Sequence, residues 1–267
     1  MNSKYSNLRW ISVASVFMLL FGFVSRGQFL DSATGLLQVP TADMNRGGTL
    51  MITNNFMNKH ALNSNYWGYH TFEYGFNITL WSRVEVSYVC VIFDGKRKPN
   101  PSDRDIIMFN QDRHFNAKVL LLQENEFGMN WMPAIAVGVS DPVSGASSDD
   151  YSSSDVSGAS NGFFNRYYAV ATKHFNTKIG IVGAHLGYQF NRRTDLPMNG
   201  PCVAFDWRPI WLEKPYFSLR AIAEYDSRTF NMGFIASFWD DRFEAMFELM
   251  AMKWVNFGVR YKLMLKK

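Results

Sequence analysis

Between residues 216 and 265 the sequence alternates apolar and polar side chains with a period of two, run after run. Phe217, Leu219, Ala221, Ala223 and Tyr225 alternate with Ser218, Arg220 and Glu224. Phe230, Met232, Phe234, Ala236 and Phe238 alternate with Asn231, Gly233 and Ser237. Val255, Phe257, Val259, Tyr261, Leu263 and Leu265 alternate with Asn256, Gly258, Arg260 and Lys262. Successive strand residues point to opposite faces, so each run carries one apolar and one polar face. Links as short as Asp226-Ser227-Arg228 and Asp240-Asp241 join the runs. The stretch is an up-and-down antiparallel meander, and what its apolar face meets, a protein core or lipid, decides the fold.

Upstream, the same pattern predicts strands over 49–58, 69–78, 83–92, 113–123, 132–139, 163–174, 178–190 and 201–207. With the meander the count reaches about twelve. Strands of about nine to eleven residues suit a tilted membrane crossing, whereas soluble sheets favour about five or six. The connections 59–68, 94–112, 140–162 and 191–200 are long and polar, while 79–82, 175–177 and 239–241 are short. Long loops at one end and short turns at the other are the outer-membrane barrel pattern. Trp67, Trp81, Trp131, Trp207, Trp211, Trp239 and Trp254 all sit near strand ends, with Tyr69, Tyr188 and Tyr225, as interfacial girdles at both ends require. The expected fold is all-β: an antiparallel up-and-down transmembrane β-barrel of about 12 strands over residues 49–267. A mean hydropathy of −0.15 does not oppose this, because barrels place apolar residues only at alternate positions.

At the N-terminus, Lys4 and Arg9 precede an apolar run over 11–24 and then Ser25-Arg26-Gly27. This is the pattern of a secretory signal peptide, residues 1–27, cut before Gln28. The apolar run is short for a membrane anchor. The expected location is the outer membrane of a Gram-negative cell, with outer-membrane lipid as a partner. Residues 1–27 hold Lys4, Arg9 and Arg26 and no acid, so their removal takes the net charge of +4 to about +1. A basic nucleic-acid-binding surface loses its support, and no nucleic acid is expected. Cys90 shares a face with Val84, Val86 and Tyr88, and Cys202 shares one with Asp206. Opposite faces of a wall offer no disulfide geometry.

The polar face of the strands collects Arg83, Glu85, Lys118, His185, Asp206, Arg208, Arg220, Glu224, Glu244, Glu248, Arg260 and Lys262. These are the expected lumen-facing residues. Both signs are interspersed, so they can pair across the interior and give a plugged or narrow pore rather than an ion-selective one. His60, His70, His114, His174 and His185 show no metal-ligand spacing. The loop 141–162, with Asp149, Asp150 and Asp155, lacks an EF-hand pattern, and no glycine-rich phosphate loop opens a helix. No enzyme activity, metal or cofactor is expected.

One segment stands apart from the strands. Thr34-Gly35-Leu36-Leu37-Gln38-Val39-Pro40-Thr41-Ala42, followed by Gly47-Gly48-Thr49-Leu50, resembles the N-terminal signature of the YjbH-like family of exopolysaccharide-associated outer-membrane proteins. Gly47 stands where that pattern usually has Asp. Ala223-Glu224-Tyr225-Asp226, with Asn231-Met232-Gly233, resembles a second element of the family. The motif residues are therefore Gly35, Leu36, Pro40, Thr41, Ala42, Gly48, Glu224, Tyr225 and Asp226. Pro40 lacks a backbone donor and must end or edge a strand, and Gly47-Gly48 permits a tight turn into the first long strand. Residues 28–48 thus form a hairpin partner, a segment folded into the barrel mouth, or a brace that seals it. The resemblance implies assistance in exopolysaccharide production, secretion or surface assembly, with polysaccharide and periplasmic secretion components as partners. The residues alone leave open a porin-like or structural barrel and a secreted carbohydrate-binding β-sandwich.

Overall fold

In the computed structural model, the described residues are 29, 31–61, 70–94, 109–143, 164–191 and 199–265. The expected signal peptide, the loop containing Asp149, Asp150 and Asp155, and the aromatic rings of Trp67 and Tyr69 lie outside them.

Twelve strands close into one antiparallel barrel. In chain order they are β1 Thr49–Met57, β2 Thr71–Leu80, β3 Val84–Asp94, β4 Phe109–Leu122, β5 Ala134–Ser140, β6 Arg166–Thr177, β7 Gly180–Phe190, β8 Gly200–Pro209, β9 Phe217–Tyr225, β10 Phe230–Phe238, β11 Phe243–Met250 and β12 Trp254–Met264. Each pairs with its sequence neighbours, and β1 closes the ring on β12 from Thr49↔Met264 to Phe56↔Phe257. Closure pairs the ladder groups of every strand and leaves no sheet edge. It also rules out a two-sheet sandwich. No helix among the described residues is long and apolar enough to cross a membrane, which says nothing against crossing by strands.

Alternation sorts the wall into two faces. Phe72, Phe76, Phe115, Leu186, Phe205, Phe234 and Phe257 are exposed on the outside, while Glu73, Asn77, Asn116, Asn231 and Asn256 are buried inside. Outer rings meet across strand pairs, as in Phe56–Phe257 at 4.9 Å, Tyr88–Phe115 at 5.2 Å and Phe234–Phe247 at 5.5 Å. Such cross-strand pairs help fix the register. Cys202 is buried on the inner face; Cys90 follows the outward parity of Val86 and Tyr88 yet is covered by its neighbours, and both are free.

Several details differ from the sequence expectation. Strand β4 begins at Phe109 rather than 113, and β6 runs on to Thr177, leaving a turn of Lys178 and Ile179. Alternation reports faces but does not mark where pairing stops. Arg83, expected in the lumen, lies in the β2–β3 turn and pairs with Glu126 at 2.9 Å. Its polar parity continued one residue beyond the strand. The link from Leu122 to Ala134 is long although it lies at the short-turn end, so loop lengths do not alternate strictly. The tryptophans are also one-sided. Trp81, Trp131, Trp207, Trp211 and Trp239 ring the short-turn end, and only Trp254 among the described tryptophans lies at the other. There it stacks on His60 at 3.9 Å.

Candidate functional site

The barrel is filled by its own N-terminal segment. Asp31, Ser32, Thr34, Leu36, Leu37, Gln38, Val39 and Thr41 are each no more than 1% exposed. Beyond them Gly48, at φ 83°, turns the chain into β1, and its N–H donates to Thr79 O at 2.8 Å. The plug makes a tight turn in which Gly35 bridges Pro40 and the Leu36 N–H donates to Val39 O at 3.1 Å. Pro40 thus sits where a missing donor costs nothing.

An irregular segment buried this way needs partners for its backbone groups, and wall side chains supply them. Glu224 accepts three successive amides, from Leu37 at 3.2 Å, Gln38 at 2.7 Å and Val39 at 3.3 Å. Glu85 accepts the Thr34 N–H at 3.0 Å, the Thr34 hydroxyl at 2.9 Å and the Asn45 N–H at 3.3 Å. Lys118 donates to Thr34 O at 2.8 Å, Asp43 O at 2.7 Å and Thr41 O at 3.3 Å, and lies 3.5 Å from Glu85. Arg166 donates to Gln38 O at 3.0 Å and pairs with Asp31. Glu248 accepts from the Gln38 side chain at 2.8 Å and from Asn256 at 2.7 Å. The mixed charge of the lumen is therefore a set of holders for a polar strand of chain.

Apolar contacts complete the seat. Leu36, Leu37 and Val39 pack with Cys202, Ala204, Ile222, Ile235 and Met246 in one buried cluster. Gly233 makes room for this: a Cβ there would lie 2.0 Å from Phe247 O and 2.9 Å from Leu37 Cδ1. Gly233→Val is expected to destabilise the barrel by about 1–3 kcal/mol through overpacking, read as a lower denaturant midpoint in detergent. An unchanged midpoint would mean that Leu37 is not seated against β10.

The two motif elements meet here. Leu36 and its neighbours lie on Glu224 and Gly233, while Thr41 and Ala42 reach β4 and β6, where Lys118 donates to Thr41 O and the Ala42 N–H donates to Thr172 Oγ1 at 2.9 Å. Tyr225 instead faces outward and packs on Phe230 at 5.1 Å. Asp226 shapes the turn after β9 by accepting the Arg228 N–H at 3.0 Å, the Thr229 N–H at 2.9 Å and Arg228 Nη2 at 2.6 Å. Burial raises the Asp226 carboxyl, but the Arg228 guanidinium and the two amides outweigh it and hold it below its usual range. A depressed folded value means that this contribution is present above the unfolded pKa of about 3.9 and is lost as pH falls through the folded value. The stability gap between wild type and Asp226→Asn should therefore stay flat from neutrality to about pH 5 and close at lower pH. Denaturant titrations at several pH values check this, and a gap independent of pH would refute the Arg228 clamp.

The other lumen candidates fall into smaller groups. Glu244 lies 3.8 Å from Arg260 and 3.5 Å from Lys262, beside Ser237. Arg208 is half-buried near the end of β8. His185 faces Asp206 at 2.8 Å, and Arg220 lies 3.6 Å from the same carboxylate. His174, without metal-ligand spacing in sequence, joins them: ligand atoms of His174, His185 and Asp206 all lie within 4.8 Å of one another. Glu124, in the β4–β5 connection, accepts from His174 Nδ1 at 2.8 Å. Burial raises its carboxyl, and bonds from His174 and Lys173 hold it below its usual range.

Sequence reasoning missed Asp31, Ser32, Gln38, Glu73, Asn116 and Arg166. The inward parity of β2, β4 and β6 marks Glu73, Asn116 and Arg166, whereas nothing local marks Asp31 as the partner of Arg166.

The family described as exopolysaccharide biosynthesis protein YbjH matches residues 28–196. That range holds the plug and β1 to β7; Glu224 and Gly233 lie beyond it. No curated protein matches this sequence.

Proposed function

The chain belongs to the YjbH family of exopolysaccharide biosynthesis proteins, and on that premise we propose that it is an outer-membrane barrel assisting the secretion or surface assembly of an exopolysaccharide. The observation that carries the membrane reading is the outer face. Soluble monomers rarely expose an apolar patch beyond a few hundred Å². Here apolar side chains face outward on strand after strand, from Ile52 and Phe72 round to Phe257 and Val259. An apolar band bounded by tryptophan at one end is what a bilayer interface selects.

At rest this barrel is closed, because Leu36, Leu37 and Val39 fill its interior. That favours a gated or scaffolding role over an open general porin. The role is non-catalytic, with the polymer and periplasmic secretion components as partners. The test is deletion of the gene, scored for surface polysaccharide, together with fractionation of the tagged protein. Loss of surface polymer and recovery of the protein with outer membranes are expected. A soluble periplasmic protein would refute the membrane reading, and unchanged polymer would refute the exopolysaccharide role.

A further inference from the structure

We propose that His174, His185, Asp206 and Asp43 form a site for one divalent transition ion of the Zn²⁺ class, which ties the plug to the barrel wall. Pairing register builds the site. In β6–β7, His174 lies opposite Gly183, and in β7–β8 Gly183 lies opposite Asp206, with His185 two residues along the same face. Residues distant in sequence thus surround one glycine. A Cβ on Gly183 would lie 2.1 Å from Asp206 Oδ1 and 2.9 Å from His185 Nε2, so the missing side chain keeps space among the ligands.

The histidines are oriented as metal ligands are. His174 Nδ1 is engaged by Glu124 at 2.8 Å, which leaves Nε2 turned toward the cluster, buried and without a hydrogen-bond partner. A carboxylate on one ring nitrogen, with the metal on the other, is how metal-binding histidines are usually oriented. His185 presents Nε2 to Asp206 and rests Nδ1 on Thr172 Oγ1 at 3.0 Å. The plug supplies the fourth donor, because Asp43 Oδ1 lies 3.7 Å from His174 Nε2. Ligands at about 2.1 Å in a tetrahedral site are about 3.4 Å apart, so His174, His185 and Asp206, whose ligand atoms lie within 4.8 Å of one another, close on one ion by side-chain shifts of about an ångström.

Charge and access also fit. Asp43, Asp206 and Glu124 bring three carboxylates to the site, with Arg220 beside Asp206 and Lys173 beside Glu124, while the nearby Lys118 is paired to Glu85. Asp43, His174 and Glu124 retain 17–22% exposure, giving entry from the short-turn end. Two imidazoles select a transition ion over Ca²⁺ or Mg²⁺.

The experiment uses the full barrel in detergent, stripped with chelator and titrated with Co²⁺ and with Zn²⁺. One equivalent is expected to bind, with the visible bands of four-coordinate Co²⁺, and Zn²⁺ should raise the thermal unfolding midpoint. His174→Ala, at a position that is 22% exposed, should lose the bands while keeping heat-modifiable migration, and Gly183→Ala should exclude the ion by filling its space. Asp43→Asn should weaken Co²⁺ binding by at least the roughly 10–100-fold typical of an outer-shell loss. Absence of binding to wild type overturns the proposal. So does binding that survives both His174→Ala and Gly183→Ala, or that excess Ca²⁺ displaces.

Discussion

Phe234→Arg is expected to abolish assembly of the barrel into lipid vesicles, with the variant left in the unfolded, heat-insensitive band on a denaturing gel. Phe234 is midway along β10, points outward and is 40% exposed even with Phe247 stacked on it at 5.5 Å. A guanidinium on the lipid face of a membrane barrel costs about 2–4 kcal/mol at the midplane and about 0–1 near the interfaces. The lost ring contact adds about 0.5–1.5 kcal/mol. Together these lower the folding equilibrium by roughly two to four orders of magnitude, enough to empty the folded state of a marginally stable barrel. Phe230→Arg provides the control. It sits at the start of the same strand and the same face, at the long-loop end, and should assemble nearly normally. Equal assembly of wild type and Phe234→Arg would mean that the outer face does not meet lipid.

The wall was legible in the sequence because its information is local. Alternation of Phe217 through Tyr225, or Phe230 through Phe238, needs only neighbouring residues, and closure follows once every strand has two partners. Ends were less legible. The polar parity that carries Glu85 into the lumen also swept in Arg83, which the turn removes from the wall. The lumen was legible as composition but not as purpose. Glu85 and Lys118 face each other across β3–β4, and nothing near them shows that Thr34 lies between. The same holds for Glu224, whose partners are Leu37, Gln38 and Val39. Contacts separated so far along the chain are set by tertiary closure. His174, His185 and Asp206 obey the same rule, since only the paired register of β6, β7 and β8 brings them together.

That distinction bears most directly on Glu224. Glu224→Ala is expected to turn a silent barrel into one with intermittent conductance in planar bilayers. The substitution leaves the amides of Leu37, Gln38 and Val39 buried without their acceptor, at about 1–3 kcal/mol each. Against this stands burial of Leu36, Leu37 and Val39, at about 1.5–3 kcal/mol per side chain. The two sums are of similar size, roughly 3–9 against 4.5–9 kcal/mol, so the turn should open transiently rather than leave the lumen. Arg166 on Asp31, Glu85 and Lys118 on Thr34, and Lys118 on Asp43 O still hold the segment on either side, which limits the opening to the turn. Glu224→Gln keeps a carbonyl acceptor and should lie between wild type and Glu224→Ala. Bilayer recordings read the conductance, and amide exchange reads the protection of residues 37–39. Wild-type silence together with unchanged protection in Glu224→Ala would show that the apolar contacts alone hold the plug. Graded opening across the two variants would place the gate at this one carboxylate.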